Sequence, residues 1–245
     1  MSKMRWFIVL ACVALSACEV VPVAPQPGPA PSRPEARQPQ MSDQEARSRA
    51  GIAARQFVDV VQTVEPVAER ECRQRAPGAN CDFRIVVDDR PGQLPNAFQT
   101  VDRSGQPILA FNLALIVSVD NADELAFVVG HEAAHHVLGH LGQTQQNAAV
   151  GAVILSGLVA LGGGDSTTVR SAEEIGASLG ARTYSKDFEL QADRLGTIIT
   201  ARAGYNPVRG AQFFNRIPDP GNRFLGTHPP NTSRMEIVRR TAAGL

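Results

Sequence analysis

Apolar residues fall into three regimes along this chain: an unbroken run from Trp6 to Leu15, no pattern between 19 and 40, and periodic spacing from 42 onward. Ser42 followed by Glu45 has the form of a capping box. Ala53, Phe57, Val60, Val61 and Val64 then recur at helical spacing. Pro66 lacks an N–H and crowds the preceding turn, so a break or kink is expected near Glu65, with a second helical piece running to about Arg75. Phe83 to Val87 reads as a strand. Ala97 to Val101 and Ile108 to Phe111 flank Asp102-Arg103-Ser104-Gly105, which has the composition of a hairpin turn. Asp120 and Asn121 are cap candidates for a helix through about His140. A further helix is expected over about Ser185 to Ala203, with Phe188, Ala192, Leu195 and Ile199 on its apolar face. Gly204 ends it and Pro207 lies just beyond. These elements predict a mainly helical α+β domain with one small sheet.

The first two regimes are different in kind. Lys3 and Arg5 precede the apolar run, which at ten residues is too short to span a bilayer as a helix and has the form of a secretory signal. Its end, Leu15-Ser16-Ala17-Cys18, resembles a bacterial lipobox. That resemblance implies cleavage before Cys18 and lipidation of its thiol. Glu19 is not the aspartate that commonly retains lipoproteins at the inner membrane, so the outer membrane is favoured. An ordinary signal with a chance cysteine is the competing reading. Residues 19–40 carry seven prolines, a composition that favours extended polyproline geometry and cannot pack a core. At about 3.1 Å per residue this tether reaches roughly 70 Å. The expected organisation is therefore a signal at 1–17, a lipidated cysteine and tether at 18–41, and a folded domain at 42–245.

Composition narrows the function classes. Hydrophobic residues make up 43% and charged residues 20%, enough to bury a core. Lys plus Arg and Asp plus Glu are both 24, which argues against a nucleic-acid binder working through bulk charge. Loss of residues 1–17 removes Lys3 and Arg5 and no acid, leaving a formal charge of −2. Of four cysteines, Cys12 leaves with the signal and Cys18 is modified. Cys72 and Cys81 remain, a pair that in an oxidising compartment reads as a disulfide, with two free buried thiols as the alternative.

The chemistry is concentrated in His131-Glu132-Ala133-Ala134-His135. On a helix the two histidines differ by about 40° of azimuth and face one point, while Glu132 lies about 60° from His135. This is the zincin arrangement: two metal ligands and a carboxylate placed to act on water. A solvated helix face with two histidines is the plain alternative. A third ligand is needed, and Glu189 is the best candidate. Asp193, four residues on, shares its face and can take the proton of a ligand histidine's far nitrogen. His136 and His140 lie about 140° and 180° round the same helix from His131, so neither is expected to join the metal and both read as structural, with contact between His140 and a metal ligand as the alternative for that residue.

With these residues in view, the chain resembles the HtpX-like and CAAX-prenyl-protease-like zinc metallopeptidases, in their soluble, periplasmic lipoprotein branch. The resemblance covers Pro95 to Arg234. It rests on Pro95-Asn96-Ala97-Phe98, on Asp123-Glu124-Leu125-Ala126 leading into the His131 motif, on Glu189 to Gly196, on Gly204-Tyr205-Asn206-Pro207, and on Thr227-His228-Pro229 with Arg234 downstream. It implies a zincin-like domain binding one Zn2+ per chain through His131, His135 and Glu189, with Glu132 as general base and acid. It also implies an edge strand near Asn96 and Ala97 that pairs with extended peptide, and His228 and Arg234 beside the cleft as catalytic residues.

The expected function is a zinc endopeptidase, lipid-anchored through Cys18 in the bacterial envelope, that hydrolyses unfolded or misassembled envelope proteins. Its expected partners are unfolded polypeptide, the membrane and envelope assembly factors, not nucleic acid. The alternative is a chaperone-like or assembly-binding protein that keeps zinc with latent or no protease activity; an intact Glu132 argues against it. Only eleven residues follow Arg234, so partner recruitment is expected to fall to this domain, the tether or other proteins. Residues 148–163 are small or apolar throughout. A single span there would put His131 and Glu189 on opposite sides of a membrane, so a buried helix or one lying on the membrane surface is expected. Gly162-Gly163-Gly164 to about Ala172 is expected to be a loop near the cleft.

Overall fold

The computed structural model describes residues 42–183, 185–217 and 229–245. The signal, Cys18, the tether and His228 lie outside the described residues. Helix α1 (Asp43–Arg75) opens with the expected capping box: the Ser42 N–H donates to Glu45 Oε2 at 3.0 Å and the Glu45 N–H donates to Ser42 Oγ at 3.3 Å. The helix continues through Pro66, which corrects the expected break. Pro66 and Gln62 are both exposed, so the carbonyl that proline leaves without a donor faces water. On the opposite side Val60, Val64, Val67 and Ala68 are buried and hold the helix on the core.

Strands β1 (Arg84–Asp88), β2 (Ala97–Val101) and β3 (Pro107–Asn112) form a sheet of order β1-β3-β2, with β1 parallel and β2 antiparallel to β3. The expected turn joins β2 and β3, with Gly105 at φ +83°. Cys72 and Cys81 form a disulfide that ties the end of α1 to the residues before β1. Helix α2 (Leu113–Ser118) follows β3 and leads into α3 (Ala122–Val137), whose Asn121 cap accepts from the Glu124 N–H at 3.1 Å. Helix α3 is buried along most of its length, between α1 and a later helix, α6 (Ser185–Arg202). Leu109, Phe111, Leu125, Val129 and Ile199 form the centre of this core. A smaller cluster of Phe127, Phe214, Met235 and Val238 joins α3 to helix α8 (Asn231–Ala242) through α7 (Pro207–Gly210) and the 3-10 turn Ala211–Asn215. The outcome is the mainly helical α+β fold with one small sheet.

Two boundaries differ from expectation. Helix α3 stops at Val137, not near His140. Gly139 takes φ +68°, reverses the chain and makes His140 the first residue of α4 (His140–Leu161). Helix α4 then pairs with α5 (Ser166–Arg182) as a hairpin. The expected loop from Gly162 to Ala172 is therefore only a short turn. Gly163 sits there at φ +85°, and Asp165 Oδ1 caps α5 by accepting from the Thr168 N–H at 2.8 Å. Nor is the apolar run buried: His140 is the only α4 residue in that class. Glycines explain the pairing, since a Cβ at Gly151 would fall 2.1 Å from the Gly176 carbonyl oxygen. The two backbones touch and leave the longer side chains of α4 pointing out.

Candidate metal centre

Helices α3 and α6 cross so closely that side chains are excluded at the crossing. A Cβ on Gly196 would stand 3.0 Å from both N and Cα of His131, and one on Gly130 would stand 3.0 Å from the Gly196 carbonyl oxygen. This approach lays Glu189 and Asp193 of α6 against the histidines of α3. His131 Nε2 and His135 Nε2 are 3.1 Å apart. Glu189 Oε2 lies 3.5 Å from the first and Oε1 lies 3.4 Å from the second. One donor atom from each of the three residues lies within 4.8 Å of the others, the only such group of three among the described residues.

The partners of the far nitrogens set the tautomers. His131 Nδ1 is 3.0 Å from Asp193 Oδ1, a carboxylate that only accepts, so Nδ1 keeps its proton and Nε2 is the nitrogen left to bind a metal ion. His140 Nε2 donates to Gln191 Oε1 at 3.4 Å, so its Nδ1 is an acceptor. His135 Nδ1, 3.0 Å away, is then the donor and His135 Nε2 is likewise left to bind. Burial lowers the His140 pKa to about 4, helped by neighbouring His135, which keeps His140 neutral and able to accept. Both ligand histidines thus turn Nε2 toward Glu189. The expectation that His140 is merely structural rested on one continuous helix; the turn at Gly139 brings it back against His135 instead. Leu138-Gly139, a helix-ending pair, was the sequence signal for that turn.

Charge favours a cation here. Burial by itself pulls the His131 pKa down, but Asp193 and Glu189 outweigh it and raise it to about 10, and the field that favours a proton also favours a metal ion. Glu132, Glu189 and Asp193 bring three carboxyl groups to the centre, with the Arg234 guanidinium beside them. That suits a cation, and His-His-Glu is a catalytic zinc donor set with room for another ligand. The residues present therefore fit the metal.

Arg234 lines the cleft, as expected, on the wall behind the ligands. It is buried, donates from Nε and Nη2 to the two Asp193 carboxylate oxygens at 2.7 Å each, and stacks on Phe214 with Cζ 3.7 Å from the ring centre. Burial raises the Asp193 pKa, and the Arg234 charge outweighs that and holds it below the ordinary range. Arg234 thus meets the ligand Glu189 directly, with Nη2 3.4 Å from Oε2, and acts on His131 through Asp193.

The centre opens into a cleft of about 860 Å3 lined by Glu132, by the metal-site residues and by β2. Burial pushes the Glu132 carboxyl up, against the lowering pull of His131, His135 and Arg234. Strand β2 is an edge strand among the described residues. The Asn96 N–H donates to Asn112 Oδ1 and its carbonyl accepts from the Asn112 N–H, both at 3.0 Å, so Asn96 faces into the sheet. Antiparallel alternation then turns the backbone groups of Ala97 and Gln99 to the free edge. Of the two residues expected to meet substrate, Ala97 has the free backbone groups and Asn96 holds the strand in place. His136 ties this strand down: its Nε2 donates to the Asn80 carbonyl at 2.7 Å and its Nδ1 accepts from Gln99 at 3.3 Å.

The model of peptidase family M48 matches residues 54–242. The chain is 27% identical over 186 residues to human mitochondrial metalloendopeptidase OMA1, covering 69% of this chain and 34% of that protein. It is 29% identical over 188 residues to the beta-barrel assembly-enhancing protease of Yersinia pestis, covering 65% and 37%. The mitochondrial metalloendopeptidase OMA1 of Saccharomyces cerevisiae is 30% identical over 177 residues, covering 66% and 47%. The chain thus spans between about a third and a half of the length of these relatives. With the family model spanning α1 to α8 and the centre included in the matched range, the chain belongs to peptidase family M48.

Proposed function

We propose that this protein is a zinc-dependent endopeptidase of the bacterial envelope that cleaves extended segments of unfolded or misassembled proteins. The observation that carries this reading is the convergence of His131 Nε2, His135 Nε2 and Glu189 beside Glu132 in one cleft. Zinc, when bound by these ligands, supplies Lewis-acid polarisation of the scissile carbonyl and acidifies water. Glu132 takes the water's proton and passes it to the leaving amine, a task suited to a carboxyl whose pKa burial has raised. The backbone groups of Ala97 and Gln99 pair with substrate as an added strand, which gives affinity with little sequence preference. His228 is assigned to the developing oxyanion. Asp193 and Arg234 hold His131 in its tautomer and orientation. Lipidated Cys18 and the proline-rich tether keep the domain at the membrane, with the outer membrane favoured, and the likeness to the beta-barrel assembly-enhancing protease of Yersinia pestis supports an assembly setting.

The test is casein cleavage by the zinc-loaded chain beside Glu132→Gln, with zinc content measured in both. Cleavage by the wild type alone, at equal zinc content, supports the reading. Equal zinc and no cleavage by either would assign the domain a binding role.

A further inference from the structure

The α4–α5 hairpin has a chemical sidedness that the peptidase reading does not use. From Leu141 to Gly164 the chain carries no Asp, Glu, Lys or Arg over 24 residues. Helix α4 is long and apolar enough to cross a membrane, yet its most apolar window is 0% buried, so it is not a core helix. Val150, Val153, Ile154, Leu158 and Leu161 are 57%, 71%, 58%, 62% and 89% exposed. At 100° per residue they fall in one stripe about 140° wide, while Gly151, Leu155 and Ala148 face α5. Helix α5 carries charge. Arg170, Glu174 and Arg182 are exposed and lie at least about 120° round from Gly176, the residue in backbone contact with α4. Ile175 and Leu179 of α5 are exposed as well, at 54% and 41%. The hairpin therefore has an apolar side made mainly by α4, and Arg170, Glu174 and Arg182 lie on the face of α5 turned away from it.

We infer that the α4 side of this hairpin is a lipid-binding surface, seated in the plane of the bilayer interface with α5 facing water. From Val150 to Leu161 the stripe holds only aliphatic side chains and Gly157, while Gln143, Gln146 and Asn147 continue the same face toward the start of α4. It lacks the Trp, Tyr and Arg that anchor protein interfaces, and α4 offers no charged rim to fix a partner's register. Lipid needs only apolar area, and a hairpin supplies it without separating the metal ligands. Both legs return to the same side, because α4 starts three residues after Val137 and α5 ends three residues before Ser185. The charges on α5 balance, two Arg against two Glu with Glu173, so attraction to anionic lipid contributes little. The root of the hairpin lines the cleft through Leu141, Thr144 and Ala181, so this seat fixes how far the cleft stands from the surface. The inference does not depend on the peptidase reading.

The experiment uses the full chain, processed as the cell makes it, in vesicles of phosphatidylethanolamine and phosphatidylglycerol. A polarity-sensitive dye is attached to one new cysteine at Ile154→Cys, Leu158→Cys or Glu174→Cys; Cys72 and Cys81 are held in their disulfide. Expected are blue-shifted emission at 154 and 158, quenching there by nitroxides on the acyl chains, water-like emission at 174, and little change with salt. Water-like emission at all three positions overturns the proposal. So does a blue shift at 154 that acyl-chain nitroxides leave unquenched, which would mean a second copy or a protein segment covers the stripe. A chain that does not co-sediment with the vesicles counts against lipidation of Cys18. The same dyes are then read with vesicles added to the soluble protein, and water-like emission there again overturns the hairpin's role.

Discussion

Gly196 lies directly against the backbone of His131. A methyl group at Gly196 would meet His131 N and Cα at 3.0 Å, tighter than side chains normally pack, and both helices are rigid there. The distance between α3 and α6 is therefore set by a residue with no side chain, and that distance decides whether Glu189 reaches the two imidazoles. Gly196→Ala is expected to destabilise the fold by about 1–3 kcal/mol and to weaken zinc binding. Gly142→Ala, with nothing within 4 Å of the new atom, serves as the neutral control. Urea denaturation and zinc competition against a chelating dye check both; unchanged zinc affinity in the Gly196 variant would disconnect the crossing from the site.

Asp193→Asn leaves the buried Arg234 guanidinium with only the longer contact to Glu189 and leaves His131 Nδ1 without an anionic acceptor. Zinc affinity is expected to fall about 10–100-fold. Stability is expected to fall by about 3–5 kcal/mol, because the side chains of Asp193 and Arg234 are 0% and 7% exposed. A double-mutant cycle with Arg234→Met measures the coupling directly, and additive effects would contradict the pairing.

His140→Phe keeps the stack on Phe188 but removes the acceptor for His135 Nδ1. About a tenfold loss of zinc affinity is expected, at the lower end of the range for removing such partners because the acceptor is neutral. Chelator competition gives the answer, and no loss would mean that packing alone orients His135.

The Glu71 carboxyl is buried, which raises its pKa, but bonds from Arg75 and Arg202 outweigh this and hold it below the usual 4.5. A carboxyl with a depressed folded pKa contributes stability above its unfolded pKa and loses it as pH falls through the folded value. Arg202→Met is therefore expected to cost about 1 kcal/mol at pH 7, a small figure because Arg202 is 51% exposed. The gap from wild type should hold down to about pH 4.5 and close below it. Thermal denaturation across pH tests this, and a gap that widens in acid would reverse the assignment.

Replacing Cys72 and Cys81 by serine opens a loop of sequence separation 9. The expected loss is about 2.5–3 kcal/mol from chain entropy. Reductant should destabilise the wild type and leave the double variant unchanged in urea titrations.

Much of the site was legible because its chemistry is local. His131, Glu132 and His135 lie within two turns of one helix, and Glu189 and Asp193 are one turn apart, so helical spacing alone predicts what each group shares a face with. The capping box, the β2–β3 turn and the disulfide pair are likewise short-range patterns. Where the reading went astray, the cause was non-local or lay in a single backbone angle. Pro66 stays helical because the core grips the opposite face of α1. Gly139 at φ +68° returned His140 to the metal ligands. Within the expected edge strand, the bond from Asn96 to Asn112, sixteen residues on, was likewise beyond local spacing.

The sequence by itself determined the metal-binding vocabulary, the family and the helix-rich fold, since these follow from residue type at fixed spacing. Tertiary structure decided the rest: which nitrogen of each histidine carries its proton, that Arg234 acts on His131 through Asp193, and that the apolar run forms an exposed hairpin rather than a buried helix. The physical reason is that tautomers, buried ion pairs and exposed faces depend on which element packs against which. That packing was set here by close backbone contacts at Gly130, Gly196, Gly151 and Gly176, where the informative feature is a missing side chain.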